Sequence, residues 1–196
     1  MPGQSTHSKR RYGIGAFHSR YFVGNGVDVG GGHDPLTNNA HAFGLIKSIQ
    51  IWDMPQGDAQ YLASLADNSF DFLHSSHSLE HMRDPKIALD NWVRVVRPGG
   101  YLVITVPEED MYERGVWPSR NNPDHKWSFT MCKEKSWNGE HSVNVLDLCK
   151  RVARVAETEK IELIRDFFNE SLPNAVDQTS RSYTAECAIE FVLRKR

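Results

Sequence analysis

The stretch Val27-Asp28-Val29-Gly30-Gly31-Gly32 constrains this chain more than any other. An apolar β-type run that ends in three glycines reads as a strand feeding directly into a turn. Without Cβ atoms, that turn lets the backbone approach a ligand closely. Asp28, two residues ahead of the first glycine, suits a ligand carrying positive charge or hydroxyls better than a bare pyrophosphate. A glycine turn also serves as a plain connector, so it points to a binding site only in the company of further elements.

Those elements follow in alternation. Residues 47–52 place Ile49 and Ile51 in strand alternation, and residues 70–74 form a short continuous apolar run, as expected of a strand buried on both faces. A helix is predicted over 85–96. Asp84 fits its N-cap, Pro85 its first position, and Ile87, Ala88, Trp92, Val95 and Val96 its apolar stripe. Pro98-Gly99-Gly100 ends that helix and leads into the clearest strand, 101–106. Beyond a polar and aromatic stretch at 108–141, a helix is predicted over 143–157, with strands at 161–168 and 185–193. Residues 1–9 read as a flexible leader, 10–22 as a short helix over the ligand site, and 171–182 as a mobile loop.

Strands alternating with helices imply an α/β fold with a mostly parallel sheet. The last strand is reached by a loop rather than a helix, which suits an antiparallel edge strand. The 196 residues fit a single domain. A formal net charge of −2 does not favour nucleic-acid binding, and the end clusters Lys9-Arg10-Arg11 and Arg194-Lys195-Arg196 read as solvated tails. Cys132, Cys149 and Cys187 are odd in number and far apart, which implies reduced thiols in a cytoplasmic protein rather than a disulfide frame or a zinc cage. No apolar run approaches the roughly 18 residues of a membrane helix, and the N-terminal region has no secretory h-region.

Three segments, in order, carry a family likeness: Ser69-Phe70-Asp71 running to Leu79-Glu80-His81; Asp84-Pro85 running to Arg97-Pro98-Gly99-Gly100; and Tyr101 to Pro107. Together with the glycine turn they resemble the class I S-adenosylmethionine-dependent methyltransferases, in particular the small bacterial type-11-like group. The resemblance implies a Rossmann-like methyltransferase fold with a mostly parallel sheet and an antiparallel last strand. Only about 25 residues separate the glycine turn from Gly57-Asp58-Ala59, so the fold is expected to be shortened after the first strand. At least one helix is missing there, and the cofactor edge is expected to be more open.

The resemblance also implies roles for individual residues. Gly30, Gly31 and Gly32 line the methionine portion of S-adenosyl-L-methionine, and Asp28 holds either the loop or, through water, the ammonium group. Asp53 accepts the ribose hydroxyls, although before Met54-Pro55 it also fits a cap. Asp58 and Ala59 meet the adenine edge, or form an ordinary turn. His74 to His77, Ser76 among them, flank the sulfonium end. The third glycine of the family is replaced by His33, which either closes over the cofactor or faces solvent.

Methyl transfer needs alignment of a nucleophile and, for a hydroxyl acceptor, removal of its proton. His77 and His125 are the candidate bases. Asp124 is placed to orient His125. Glu109 and Asp110 are the candidates for holding an amine instead. Trp117, Trp127, Phe129 and Trp137 suit a polar ring or, alternatively, anchor a lid over residues 108–141. His77-Ser78-Leu79-Glu80-His81 also matches the inverted zinc-protease pattern, which requires a helix. Its position just after a buried strand argues against that reading, and no metal is expected. The expected partners are a small polar acceptor, most simply a sugar, glycan precursor or secondary metabolite. No nucleic acid or membrane is expected, and the protein is expected to be a monomer or homodimer. An amine acceptor and an inactive cofactor-binding scaffold are the rival readings.

Overall fold

The computed structural model describes residues 17–180 and 182–196. The expected leader at 1–9, the basic cluster at 9–11 and the first part of the expected helix at 10–22 lie outside the described residues. In chain order the elements are α1 (Phe17–Tyr21), β1 (Gly24–Val29), β2 (Ile46–Trp52), β3 (Phe70–Ser76), α2 (Pro85–Val95), β4 (Val96–Pro107), β5 (Ser128–Thr130), β6 (Ser142–Asn144), α3 (Val145–Val152), β7 (Ala156–Ile164) and β8 (Ala188–Lys195).

Six strands form the central sheet in the order β2-β1-β3-β4-β8-β7. The first four are parallel, and β8 runs antiparallel to both β4 and β7. The fold is therefore the expected Rossmann-like one, with one correction: the antiparallel last strand lies inside the sheet, and β7 is the edge. The side chains explain the choice. β8 is buried from Ala188 to Leu193, whereas β7 presents Glu157, Thr158, Glu162 and Leu163 to solvent. Burial on both faces suits β8, whose run Ala188–Leu193 is apolar except for Glu190, met by Lys160 at 3.1 Å, and a charged strand suits an edge.

Helix α2 begins as expected: the Asp84 carboxylate accepts hydrogen bonds from the Lys86 and Ile87 backbone N–H groups at 2.8 and 3.3 Å. Its buried stripe is Ala88, Leu89, Trp92, Val93 and Val95, while Ile87 faces solvent. This stripe and Leu148, Cys149 and Val152 of α3 cover one sheet face, over Val27, Val29, Leu73, Leu102 and Ile104. Burying each such side chain contributes about 1.5–3 kcal/mol. Tyr21, Phe22, Leu36 and Phe43 cover the opposite face over Phe72, Val103 and Val192. Helix α1 thus packs on the sheet, with Tyr21 edge-on to Tyr101 at 5.0 Å, and not over the strand tips as expected.

The predicted helix at 143–157 stops early. Asn144 caps α3 by accepting from Leu146 N–H at 2.9 Å, and the chain is already β7 from Ala156 onward. Ladder pairing with β8 outweighs helix propensity there.

The shortening after β1 is more extensive than one helix. A 3₁₀ segment, Leu36–Ala42, is the only regular element between β1 and β2, and a 3₁₀ turn, Met54–Gln56, the only one between β2 and β3. Arg94 of α2 holds the irregular segment in place of a helix. Its guanidinium donates to the carbonyls of Tyr61, Leu62 and Leu65 at 3.1, 3.0 and 2.8 Å. Trp92 Nε1–H donates to the Ala59 carbonyl at 2.8 Å, tying the same segment to the core. Among the described residues no helix is long and apolar enough to cross a membrane.

Candidate active site

In an open parallel sheet, ligands bind outside the carboxyl ends of the strands, where the strand order reverses. Here β1 leads to β2 on one side while β3 lies on the other, so the reversal falls between Gly30 and Ser76. Two cavities meet there. An open cleft of about 760 Å³ runs along Gly30, Trp52, Asp53, Gly57, Asp58 and Ala59. A smaller pocket of about 170 Å³ lies deeper, against Ser76, Glu80, Tyr112, His125 and Cys187. Gly30, His77 and His81 line both.

Sterics shape the cleft. The φ of Gly30 is +78°, and a Cβ there would stand 2.3 Å from Ser78 Oγ, so only glycine fits. Its N–H donates to the Trp52 carbonyl at 2.8 Å, which pins the turn to the end of β2. A Cβ on Gly32 would meet Asp53 Oδ2 at 3.3 Å, so the missing side chain keeps that carboxylate oxygen clear. The other oxygen of Asp53 caps the 54–56 turn, accepting from Met54 N–H at 2.7 Å. Asp53 is thus both a cap and a cleft residue. Asp58 also lines the cleft; it accepts from Gln60 N–H at 2.9 Å and from Arg83 at 2.6 Å, and Arg83 holds its carboxyl below the ordinary range. The Ala59 carbonyl is committed to Trp92, while the residue itself faces the cleft.

Asp28 serves the loop. It is buried, with Oδ2 accepting from Leu36 N–H at 2.8 Å and Oδ1 taking the His74 Nδ1–H at 2.7 Å. Of the two roles expected for it, its bonds match holding the loop. Gly31 packs against that carboxylate, and His33 faces solvent.

The inner pocket is built by a polar cluster that the sequence did not reveal. After β3, His77 adopts a left-handed backbone (φ +55°) with its N–H on the Thr105 carbonyl at 2.9 Å. A left-handed non-glycine residue of this kind often marks a functional site. The next 3₁₀ turn, Leu79–His81, buries Glu80 completely. Its carbonyl accepts from Lys126 N–H at 2.9 Å, and this one bond brings the 122–126 loop against the turn. His125 thereby comes to lie with Nε2 at 3.8 Å from Glu80 Oε1, and its ring lies edge-on to His81 at 5.0 Å.

Each of these two imidazoles has a carboxylate behind it. His125 Nδ1–H donates to Glu113 at 2.8 Å, and His81 Nδ1–H donates to Asp124 at 2.9 Å. Asp124 therefore orients His81, not its neighbour His125 as expected. Glu113 is delivered by a π-turn, Glu109–Glu113, whose wider winding buries Tyr112 and Glu113 side by side. Burial alone would raise the Glu80 carboxyl, but His77 at 3.5 Å, with His125 and His81, outweighs burial and holds it below its ordinary value. Neither Glu80 oxygen has a hydrogen-bond partner among the described residues. Burial, then Asp177 and Glu113, push the Tyr112 phenol up, and burial with Asp177 pushes the Cys187 thiol up to about 12, so both stay protonated.

The expected amine-binding acids are engaged elsewhere. Glu109 is buried beneath Ser128, Ser136, Ser142 and Lys133, whose side chains donate to it at 3.2, 2.7, 2.6 and 2.8 Å. Asp110 is held by Lys133 and Trp137. The aromatic residues of 117–137 do not ring the pocket: Phe129 is core, Trp117 stacks on His141, and Trp127 Nε1–H donates to the Met82 carbonyl.

Residues 28–104 match the family described as Methyltransferase domain. No curated protein matches the sequence. Solved structures share the fold across nearly the whole chain. A SAM-dependent methyltransferase from Archaeoglobus fulgidus superposes with a TM-score of 0.61 at 16% identity, covering 99% of this chain and 95% of its own. One from Mesorhizobium loti gives 0.56 at 15%, covering 98% of each. One from Methanosarcina mazei gives 0.56 at 14%, covering 93% of this chain and 97% of its own. Residues 28–104 thus match a methyltransferase-domain family, and the chain as a whole has the fold of the S-adenosylmethionine-dependent methyltransferases on which it superposes.

Proposed function

We propose that this chain methylates a hydroxyl of a small polar acceptor, which enters the inner pocket while S-adenosylmethionine lies in the open cleft. The observation that carries this reading is His77. Like His81 it lines both cavities, but His81 is held by Asp124, whereas His77, one-fifth exposed at its side chain, turns Nδ1 toward Glu80. The cofactor supplies a methyl group made electrophilic by its sulfonium. Gly30 and Gly32 give its backbone-hugging portion room, Asp53 Oδ2 is placed to accept from the ribose, and Asp58-Ala59 borders the base. Ser76 joins them at the sulfonium end from the tip of β3.

His77 takes the acceptor proton as the oxygen attacks the methyl carbon. The carbon–sulfur bond breaks, its electrons stay on sulfur, and the proton leaves through the imidazole. His125 is nearly fully buried and bonded to Glu113, so it forms the wall of the pocket and not its mouth. A pocket of about 170 Å³ is below the range of drug-sized sites, so it receives one end of an acceptor such as a sugar ring or a metabolite's hydroxylated arm. Glu109 and Asp110, on which an amine acceptor would have depended, are engaged away from it.

The test is a panel of hydroxylated and amine acceptors incubated with S-adenosylmethionine and read by release of S-adenosylhomocysteine. Turnover of hydroxyl acceptors, lost in His77→Asn, is the expected result. Turnover confined to amines contradicts it.

A further inference from the structure

The inner pocket holds more acceptor capacity than methyl transfer requires. His81 and His125 each give Nδ1–H to a carboxylate, Asp124 and Glu113. With that tautomer, Nε2 of each ring carries a lone pair. Glu80 adds a carboxylate that is completely buried, and neither of its oxygens has a hydrogen-bond partner among the described residues. One ligand atom from each of Glu80, His81 and His125 lies within 4.8 Å of the others. His77 Nδ1 stands 3.5 Å from Glu80 Oε1 without making a hydrogen bond, and converging lone pairs left otherwise unmet repel one another and lack solvation. A cation among them removes both penalties.

We propose that Glu80, His81 and His125 form a site for one divalent transition-metal ion, zinc in the first instance, with its open side toward the acceptor pocket. Two imidazoles and a carboxylate make up the ligand set of open catalytic zinc sites, whereas magnesium and calcium prefer all-oxygen ligands. A carboxylate on the far nitrogen of each ligating histidine is the usual second shell, and it raises the basicity of the ring. Ligands on a tetrahedral zinc stand roughly 3.3–3.5 Å apart. The 3.8 Å between His125 Nε2 and Glu80 Oε1 closes to that with a small side-chain rotation.

The protease-like pattern His77-Ser78-Leu79-Glu80-His81 is used differently here. It lies on a 3₁₀ turn instead of a helix, and the third ligand comes from a loop more than forty residues away. His77 stays outside the set at the mouth, free to take a proton. The ion's service to the reaction, lowering the pKa of the entering hydroxyl, rests on the methyl-transfer reading; its binding does not.

The experiment uses the full chain without a histidine tag, stripped with chelator and titrated calorimetrically with Zn²⁺, then with Co²⁺ while the visible spectrum is recorded. The expected result is one ion per chain at micromolar or tighter Kd, with Co²⁺ bands of nitrogen and oxygen ligation. Affinity should fall about 100-fold in His81→Ala and Glu80→Gln and about 10-fold in Glu113→Gln, and stay unchanged in His33→Ala at the surface. His81, with about a quarter of its side chain exposed, lies outside the apolar core, so the His81→Ala arm stands even where Glu80→Gln fails to fold. Absence of stoichiometric binding, or binding undiminished in His81→Ala, overturns the site. Titration of the metal-free protein with S-adenosylhomocysteine reads the methyltransferase assignment separately.

Discussion

The cleft and the pocket that meet at His77 are built on opposite plans. In the cleft, polar groups are exposed and already employed: Asp53 caps a turn, Asp58 is paired with Arg83, and the Ala59 carbonyl belongs to Trp92. In the pocket, charged groups are buried, and Glu80 with one Glu113 oxygen has nothing to bond among the described residues. Exposed, satisfied groups are inexpensive and suit a ligand that brings its own binding surface. Buried, unsatisfied ones cost stability and persist where function needs them. The difference supports the proposed division, in which the trimmed side of the molecule would bind cofactor and the enclosed side would select the acceptor and react.

Breaking the pocket should have the largest effect. His77→Asn keeps a residue that tolerates the left-handed backbone, so it isolates the loss of the imidazole. Turnover should fall about 10²–10⁴-fold while S-adenosylhomocysteine affinity stays within about threefold, as read by steady-state kinetics beside calorimetry. Equal loss of both would place His77 with the cofactor.

Glu108 sharpens the comparison through pH. It caps the π-turn that delivers Tyr112 and Glu113, accepting from Asp110 and Met111 N–H at 2.9 and 3.0 Å. Burial, with Asp110 nearby, raises its carboxyl from 4.5 to about 7. The folded state therefore binds its proton more tightly than the unfolded chain does. This stability is fully present below pH 4.5 and is lost as pH rises through about 7. Denaturant melts of wild type against Glu108→Gln should differ in slope across that window, by up to about 3 kcal/mol at its upper end. Identical pH profiles would remove Glu108 as the cause.

In the cleft the effects are smaller. Asp53→Ala should weaken S-adenosylhomocysteine about tenfold, or 1.4 kcal/mol, alongside a modest loss from the missing cap. Arg83→Ala frees the Asp58 carboxylate at an exposed pair. The melting temperature should not move measurably, and cofactor affinity should change less than threefold. A larger drop would make the pair part of the base-binding surface.

Local signals carried most of the fold. Asp84-Pro85 marks the start of α2, Pro98-Gly99-Gly100 follows its end, and the tight turn after β1 needs Gly30, because each answers to neighbours a few residues away. The end of α3 was obscured because residues 153–157 suit either state, and pairing with β8 decides it. The position of β8 inside the sheet was likewise a matter of which strand could bear solvent. For the site, the glycine turn and His77 were legible. The Glu80–His81–His125 cluster was not, since it depends on one backbone bond between Lys126 and Glu80 and on a π-turn that presents Glu113. Its traces in the sequence were the pattern His77-Ser78-Leu79-Glu80-His81 and His125, read there separately as a candidate base.

The most direct measurement of the whole arrangement is a crystal structure of the chain with S-adenosylhomocysteine. The expected result is a ribose against Asp53 and a thioether sulfur beside His77, at the mouth of the pocket lined by Glu80 and His125. A ligand whose sulfur points away from His77, or one bound outside the Gly30–Asp53 cleft, would contradict the division of labour between the two cavities.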